Sequence, residues 1–126
     1  PYVAYCDEAN DVKTTVLRFN GVNWVVVGSV GISAAGADYQ SLTFSPSGVP
    51  YVAYKDFSRS GGTTVLSFDG INWGAVGNVG ISEGTASYQS LSISPTGVPY
   101  VAYSDDANND KTTVLRFNGS DWEVVG

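Results

Sequence analysis

The stretch SPSGVPYVAYKDFSRSGGTTVLSFDGINW runs from Ser45 to Trp73, and it returns from Ser94 to Trp122 as SPTGVPYVAYSDDANNDKTTVLRFNGSDW. Pro1, Pro50 and Pro99 each open PYVAY, so the period is 49 residues. Residues 1–49 and 50–98 agree at 29 of 49 positions. A repeat of this length is a supersecondary unit stacked on copies of itself. Each unit holds four strand-like segments. In the middle copy they are YQSLTFS (39–45), PYVAY (50–54), TTVLSF (63–68) and NWGAV (72–76). No stretch keeps the 3.6-residue apolar period of a helix over ten residues. Turn chemistry separates the segments. Ser45-Pro46-Ser47-Gly48 places proline where φ near −65° is wanted and glycine where φ is positive. Asn20-Gly21, Asp69-Gly70 and Asn118-Gly119 lie between strands as hairpin signals.

Four antiparallel strands in a repeat of 40–50 residues describe a blade of a β-propeller. SLTFSPSGVPYVAYKD resembles the first two strands of blades in the large β-propeller class. The F-[ND]-G-x-x-W hairpin followed by VG resembles bacterial and lectin-type propeller repeats. The resemblance covers the whole chain and implies the fold, since propellers of many functions share it. Naming the strands A, B, C and D, the chain reads BCD–ABCD–ABCD. The expected architecture is all-β, about 2.7 four-stranded blades in one propeller segment: a partial blade over 1–28, a second over 29–77 and a third over 78–126. Strands such as YVAY are apolar on both faces, so each blade needs neighbours. Propellers close with 4–8 blades. The expectation is a ring completed by copies of this chain, a homo-oligomer, or by further sequence.

The chain has 126 residues, a net charge of −6, six basic residues, one cysteine and no histidine. Without a basic patch there is no footprint for nucleic acid. No apolar run approaches the roughly 20 residues of a membrane helix, so membrane insertion is not expected. A single cysteine forms no internal disulfide and no cysteine-based zinc site. The absence of histidine removes the usual general base and the Ser-His-Asp arrangement. No glutamate recurs between repeats, so a paired-carboxylate glycosidase site has little basis. No catalytic residue, metal or cofactor is assigned. A Ser/Thr/Gly/Asn-rich surface leans towards a secreted or cell-surface setting.

Differences between repeats cluster in two loops. One joins B to C: CDEANDVK (6–13), KDFSRSGG (55–62) and SDDANNDK (104–111). The other joins D to A: SAAGAD (33–38) and SEGTAS (82–87). Both emerge on one face of a propeller, the hairpins on the other. Loops on a rigid scaffold are where binding is usually built, although free loop drift gives the same pattern. Three groups of recurring residues are ligand-binding candidates, each with a structural counterpart. Asp7, Asp56 and Asp105 end strand B, as turn formers or as oxygens for a ligand. Trp24, Trp73 and Trp122 start strand D, packing blade on blade or offering platforms to sugar rings. Tyr39-Gln40 and Tyr88-Gln89 begin strand A, facing the central channel as solvated packing or as a polar site at its mouth. The functional expectation is a non-enzymatic module that recognises carbohydrate, lectin-like, or protein on the B–C/D–A loop face. The alternatives are a structural or engineered repeat scaffold, or a fragment of a larger propeller hydrolase.

Overall fold

A computed structural model describes residues 1–126 and contains eleven strands, no α-helix and three antiparallel sheets. The first sheet is β1 (Tyr2–Asp7), β2 (Lys13–Phe19) and β3 (Trp24–Val26). The second is β4 (Ala37–Phe44), β5 (Pro50–Asp56), β6 (Gly62–Phe68) and β7 (Trp73–Ala75). The third is β8 (Ala86–Ile93), β9 (Pro99–Asp105), β10 (Lys111–Phe117) and β11 (Trp122–Val124). Each is a meander in chain order with the same register: Ala4 faces Val16, Ala53 faces Val65 and Ala102 faces Val114. These are β-propeller blades, and the first has B, C and D strands alone.

The hairpins follow their sequence signals. Ser45 Oγ accepts from Val49 N at 3.0 Å, and Ser94 Oγ does the same for Val98 N. The C–D hairpins are four-residue loops: Asp69 Oδ1 accepts from Ile71 N and Asn72 N, and Gly70 takes φ +103°. One element is absent from the sequence reading. Each B–C loop opens with a three-residue 3₁₀ turn, Glu8–Asn10, Phe57–Arg59 or Asp106–Asn108.

The core lies between sheets rather than within one. At the junction of blades two and three it comprises Ala53, Val65, Ala86, Leu91, Val101, Tyr103 and Leu115. At the junction of blades one and two it comprises Ala37, Val52, Tyr54 and Leu66. The strands are therefore greasy on both faces because both faces meet a neighbour.

Two core phenols carry a pH signature. Burial, and then the nearby Asp105 charge, push Tyr103 up to about 12, and burial with Asp56 raises Tyr54 as well. A raised phenol gives stability that is complete below the unfolded value near 10 and lost as pH climbs through the folded one. The melting temperature is expected to fall as pH rises from 10 towards 12, together with the appearance of phenolate absorbance. A melting temperature flat across that window contradicts the assignment.

Candidate functional site

The three aspartates close the B–C loops from inside. Asp56 is buried; its Oδ2 accepts from Thr64 Oγ1 at 2.7 Å, and its Oδ1 accepts from Ser58 N at 2.9 Å. Thr64 Oγ1 in turn accepts from Gly80 N at 3.0 Å, tying in the D–A loop. The relay recurs as Asp7, Thr15 and Gly31 at 2.7 and 3.0 Å. Asp105 accepts from Thr113 and Asn108. The Thr15 hydroxyl, helped by Asn10, holds the Asp7 carboxyl below the usual range. The geometry of these carboxylates is that of loop organisers, with their oxygens committed to internal donors.

The tryptophans sit across the blade junctions. Trp73 Nε1 donates to Val27 O of the preceding blade at 2.8 Å, and Trp122 Nε1 donates to Val76 O at 2.7 Å. Each ring tilts against a phenylalanine, Phe68 or Phe117, with centroids 5.3 and 5.5 Å apart. The seat needs a glycine. A Cβ on Gly28 would lie 3.0 Å from Trp73 Cδ1, and one on Gly77 would lie 2.8 Å from Phe117 Cε2. Trp24 has no preceding blade in the chain and is 49 % exposed.

Strand A departs from the alternation read in the sequence. Tyr39 and Tyr88 take φ +53° and +58°, and the register of β4 and β8 shifts around them. Such a bulge reverses which residues point out. Gln40 and Gln89, read as channel-facing, instead clasp the preceding blade. Gln40 Nε2 donates to Thr14 Oγ1 at 3.2 Å, and the buried Gln89 donates to Thr63 Oγ1 at 3.1 Å. The tyrosines are exposed and brought together, with centroids 4.6 Å apart. Lys55 Nζ lies 5.8 Å from the Tyr39 ring centroid and 5.9 Å from that of Phe57, and donates to Ser87 Oγ. This aromatic rim is at the loop end of strand A. Left-handed φ on an aromatic residue costs on the order of 1–3 kcal/mol and marks a place where surroundings impose the conformation.

Two matched clefts lie on the opposite, hairpin side, which the loop variation does not indicate. One, of about 730 Å³, opens between blades two and three and is lined by Tyr51, Val76, Gly77, Pro99, Tyr100, Arg116, Phe117 and Asn118 among others. The equivalent space between blades one and two, about 540 Å³, is lined by Tyr2, Arg18, Val27, Gly28, Pro50, Phe68 and Asp69 among others. The two share their architecture position for position: a tyrosine, a Val-Gly edge, a proline, a phenylalanine and a hairpin Asp or Asn. Each has one arginine, from the preceding blade in one case (Arg18) and the following blade in the other (Arg116). Arg116 Nε pairs with Glu123 Oε1 at 2.7 Å on the exposed rim. The signal for these clefts is the alternation Arg18, Ser67, Arg116, one of two positions at which strand C differs between blades, the other being Lys13, Gly62 and Lys111 at its start.

The fold has a solved counterpart. The structure of a fucose lectin from Kordia zhangzhouensis in complex with methyl-fucoside matches with a TM-score of 0.62 at 15% sequence identity, over 99% of this chain and 88% of that one. No protein-family model and no curated protein matches the sequence. At this identity the likeness establishes the fold.

Proposed function

We propose that this chain is a non-enzymatic glycan-binding module that takes saccharides in the clefts between blades. The observation that carries this reading is the recurrence of one cleft design at both junctions: an aromatic and proline wall, one arginine and a hairpin carboxylate or amide. Sugars present an apolar C–H face and a ring of hydroxyls, and an apolar wall with a few placed polar groups suits both. Recurrence on one rigid body favours multivalent binding, in which weak contacts act together. The fold match to a lectin co-crystallised with methyl-fucoside supports the class and makes that fucoside the first ligand to try.

A glycan array, followed by titration calorimetry with methyl-fucoside and the best array ligand, tests the proposal. Arg116→Ala is expected to weaken binding at its cleft about tenfold, the scale of one charge-assisted hydrogen bond. Its stability should change by under about 1 kcal/mol, because the Arg116–Glu123 pair is exposed. An empty array, or an Arg116→Ala variant that binds as the parent does, rejects the reading.

The exposed tyrosine pair favours a second reading, recognition on the loop face. Tyr39 and Tyr88 with Lys55 and Phe57 form an aromatic surface with one cation, suited to a protein or an extended glycan. Tyr88→Ala separates the two: it leaves cleft binding intact and abolishes loop-face binding.

A further inference from the structure

We infer that the cleft between blades one and two takes an acidic saccharide, a sugar ring bearing one carboxylate, while its counterpart between blades two and three suits neutral sugars. This rests on the glycan reading above and gives one of its two sites a ligand class. The clefts share a design, so the positions at which they differ carry the information. On the preceding wall the first cleft has Arg18 where the second has Ser67. On the following hairpin the first has Asp69 where the second has Asn118. Both charges of the first cleft are thus neutral groups in the second.

The second cleft also holds Arg116, but that side chain is already paired. Glu123 stands directly opposite it across the C–D hairpin and binds its Nε at 2.7 Å, the one ion pair of the chain. The residue opposite Arg18 in the same register is Val25. The carboxylate that neutralises Arg116 therefore has no equivalent beside Arg18, which is exposed in the cleft. Asp69 lies on the other side. Its Oδ1 accepts from Asn72 N and Ile71 N at 2.7 and 2.8 Å, and those amides hold its carboxyl below the usual range. That leaves Oδ2 for a ligand hydroxyl. Tyr2, Pro50 and Phe68 supply apolar lining, with Tyr2 set against Phe44 of the second blade at 4.8 Å between centroids.

A hexuronic acid matches each of these groups. Its planar carboxylate fits the guanidinium fork in two parallel bonds. Its hydroxyls can donate to Asp69, and its C–H face can cover the apolar lining. A polyanion suits the cleft less, because Asp69 and the net charge of −6 repel it. The three strands of the first blade are enough to build this site. Where both blades have four strands, the preceding wall draws on B, C and D and the glycine after them, with nothing from strand A or the A–B hairpin. The first blade has those same three strands.

Titration calorimetry with methyl glucuronoside and methyl glucoside, which differ only in the carboxylate, tests the inference. The acid is expected to bind about tenfold more tightly at low salt, the scale of one charge-assisted hydrogen bond. That advantage should shrink as salt is raised. Arg18→Ser, which matches Ser67 of the second cleft, should erase it. Val25→Glu should erase it with Arg18 still present, by recreating the Arg116–Glu123 pair. Circular dichroism checks that both variants are folded. Equal binding of the two sugars by the parent, or an advantage that survives either substitution, overturns the inference and leaves the glycan reading standing. Acetate binding as tightly as the glucuronoside also overturns it, since the site would then recognise an ion and no sugar. No binding of either sugar, together with an empty glycan array, rejects the function and this inference with it.

Discussion

Replacing Asp56 by alanine is expected to lower the unfolding free energy by about 3 kcal/mol, the scale of losing several buried bonds to a charged group. The carboxylate is buried and holds three things at once. It accepts from the Thr64 hydroxyl, from the Ser58 backbone and, through Thr64, steadies the bond from Gly80 N. Alanine leaves the Thr64 hydroxyl, itself 1 % exposed, without its acceptor. Unsatisfied buried donors cost more than the bond gained in folding, because water is no longer available to them. Asp56→Asn keeps an acceptor oxygen and should recover part of the loss. Urea unfolding of the three proteins checks this, and an Asp56→Ala variant within 1 kcal/mol of the parent contradicts the loop-organising role.

The second large effect is expected at Gly77. Alanine there meets two separate penalties. The residue sits at φ +70°, where an L side chain costs about 1–2 kcal/mol. Its Cβ would also approach Phe117 Cε2 to 2.8 Å and Trp122 Cδ1 to 3.3 Å, overpacking the seat of the indole by a further 1–3 kcal/mol or so. Gly48→Ala is the control. Its φ is +87°, but nothing lies within 4 Å of the new Cβ, so it bears the backbone penalty alone. Gly77→Ala should therefore be the less stable of the two by about 1–3 kcal/mol. Equal stabilities contradict steric seating of Trp122.

Much of this fold is visible in the residues. Three PYVAY segments 49 positions apart fix the blade count, and Ser-Pro-x-Gly and Asn/Asp-Gly fix where the hairpins turn. The strands are apolar on both sides, which announces neighbours on both sides. The inner strand is less legible. Alternation with period two puts Gln40 and Gln89 in the channel, but a tyrosine at positive φ in each inner strand shifts the register, and the glutamines reach back to the preceding blade. Nothing in Tyr39 as a residue type advertises that backbone state. The Asp–Thr pairing, eight positions apart, is hidden for another reason: it closes across a 3₁₀ turn that no periodicity reveals. The clefts leave no mark in the loop variation, since their walls come from the most constant positions. Within the part of strand C that lines the clefts, Arg18, Ser67 and Arg116 alone break the uniformity.

An Asp–Thr pair ties the two ends of each B–C loop, and in the first two blades the threonine also accepts a backbone amide from the D–A loop. Between those anchors the middle loop, SRSGG, shares no residue with ANDVK or ANNDK at matched positions, yet Asp11, Ser60 and Asn109 follow the same path to φ +54° to +57°. The propeller's rim is thus built like a socket: whatever is inserted between fixed contacts inherits its position, so new surface chemistry can be exchanged there without renegotiating the blades beneath.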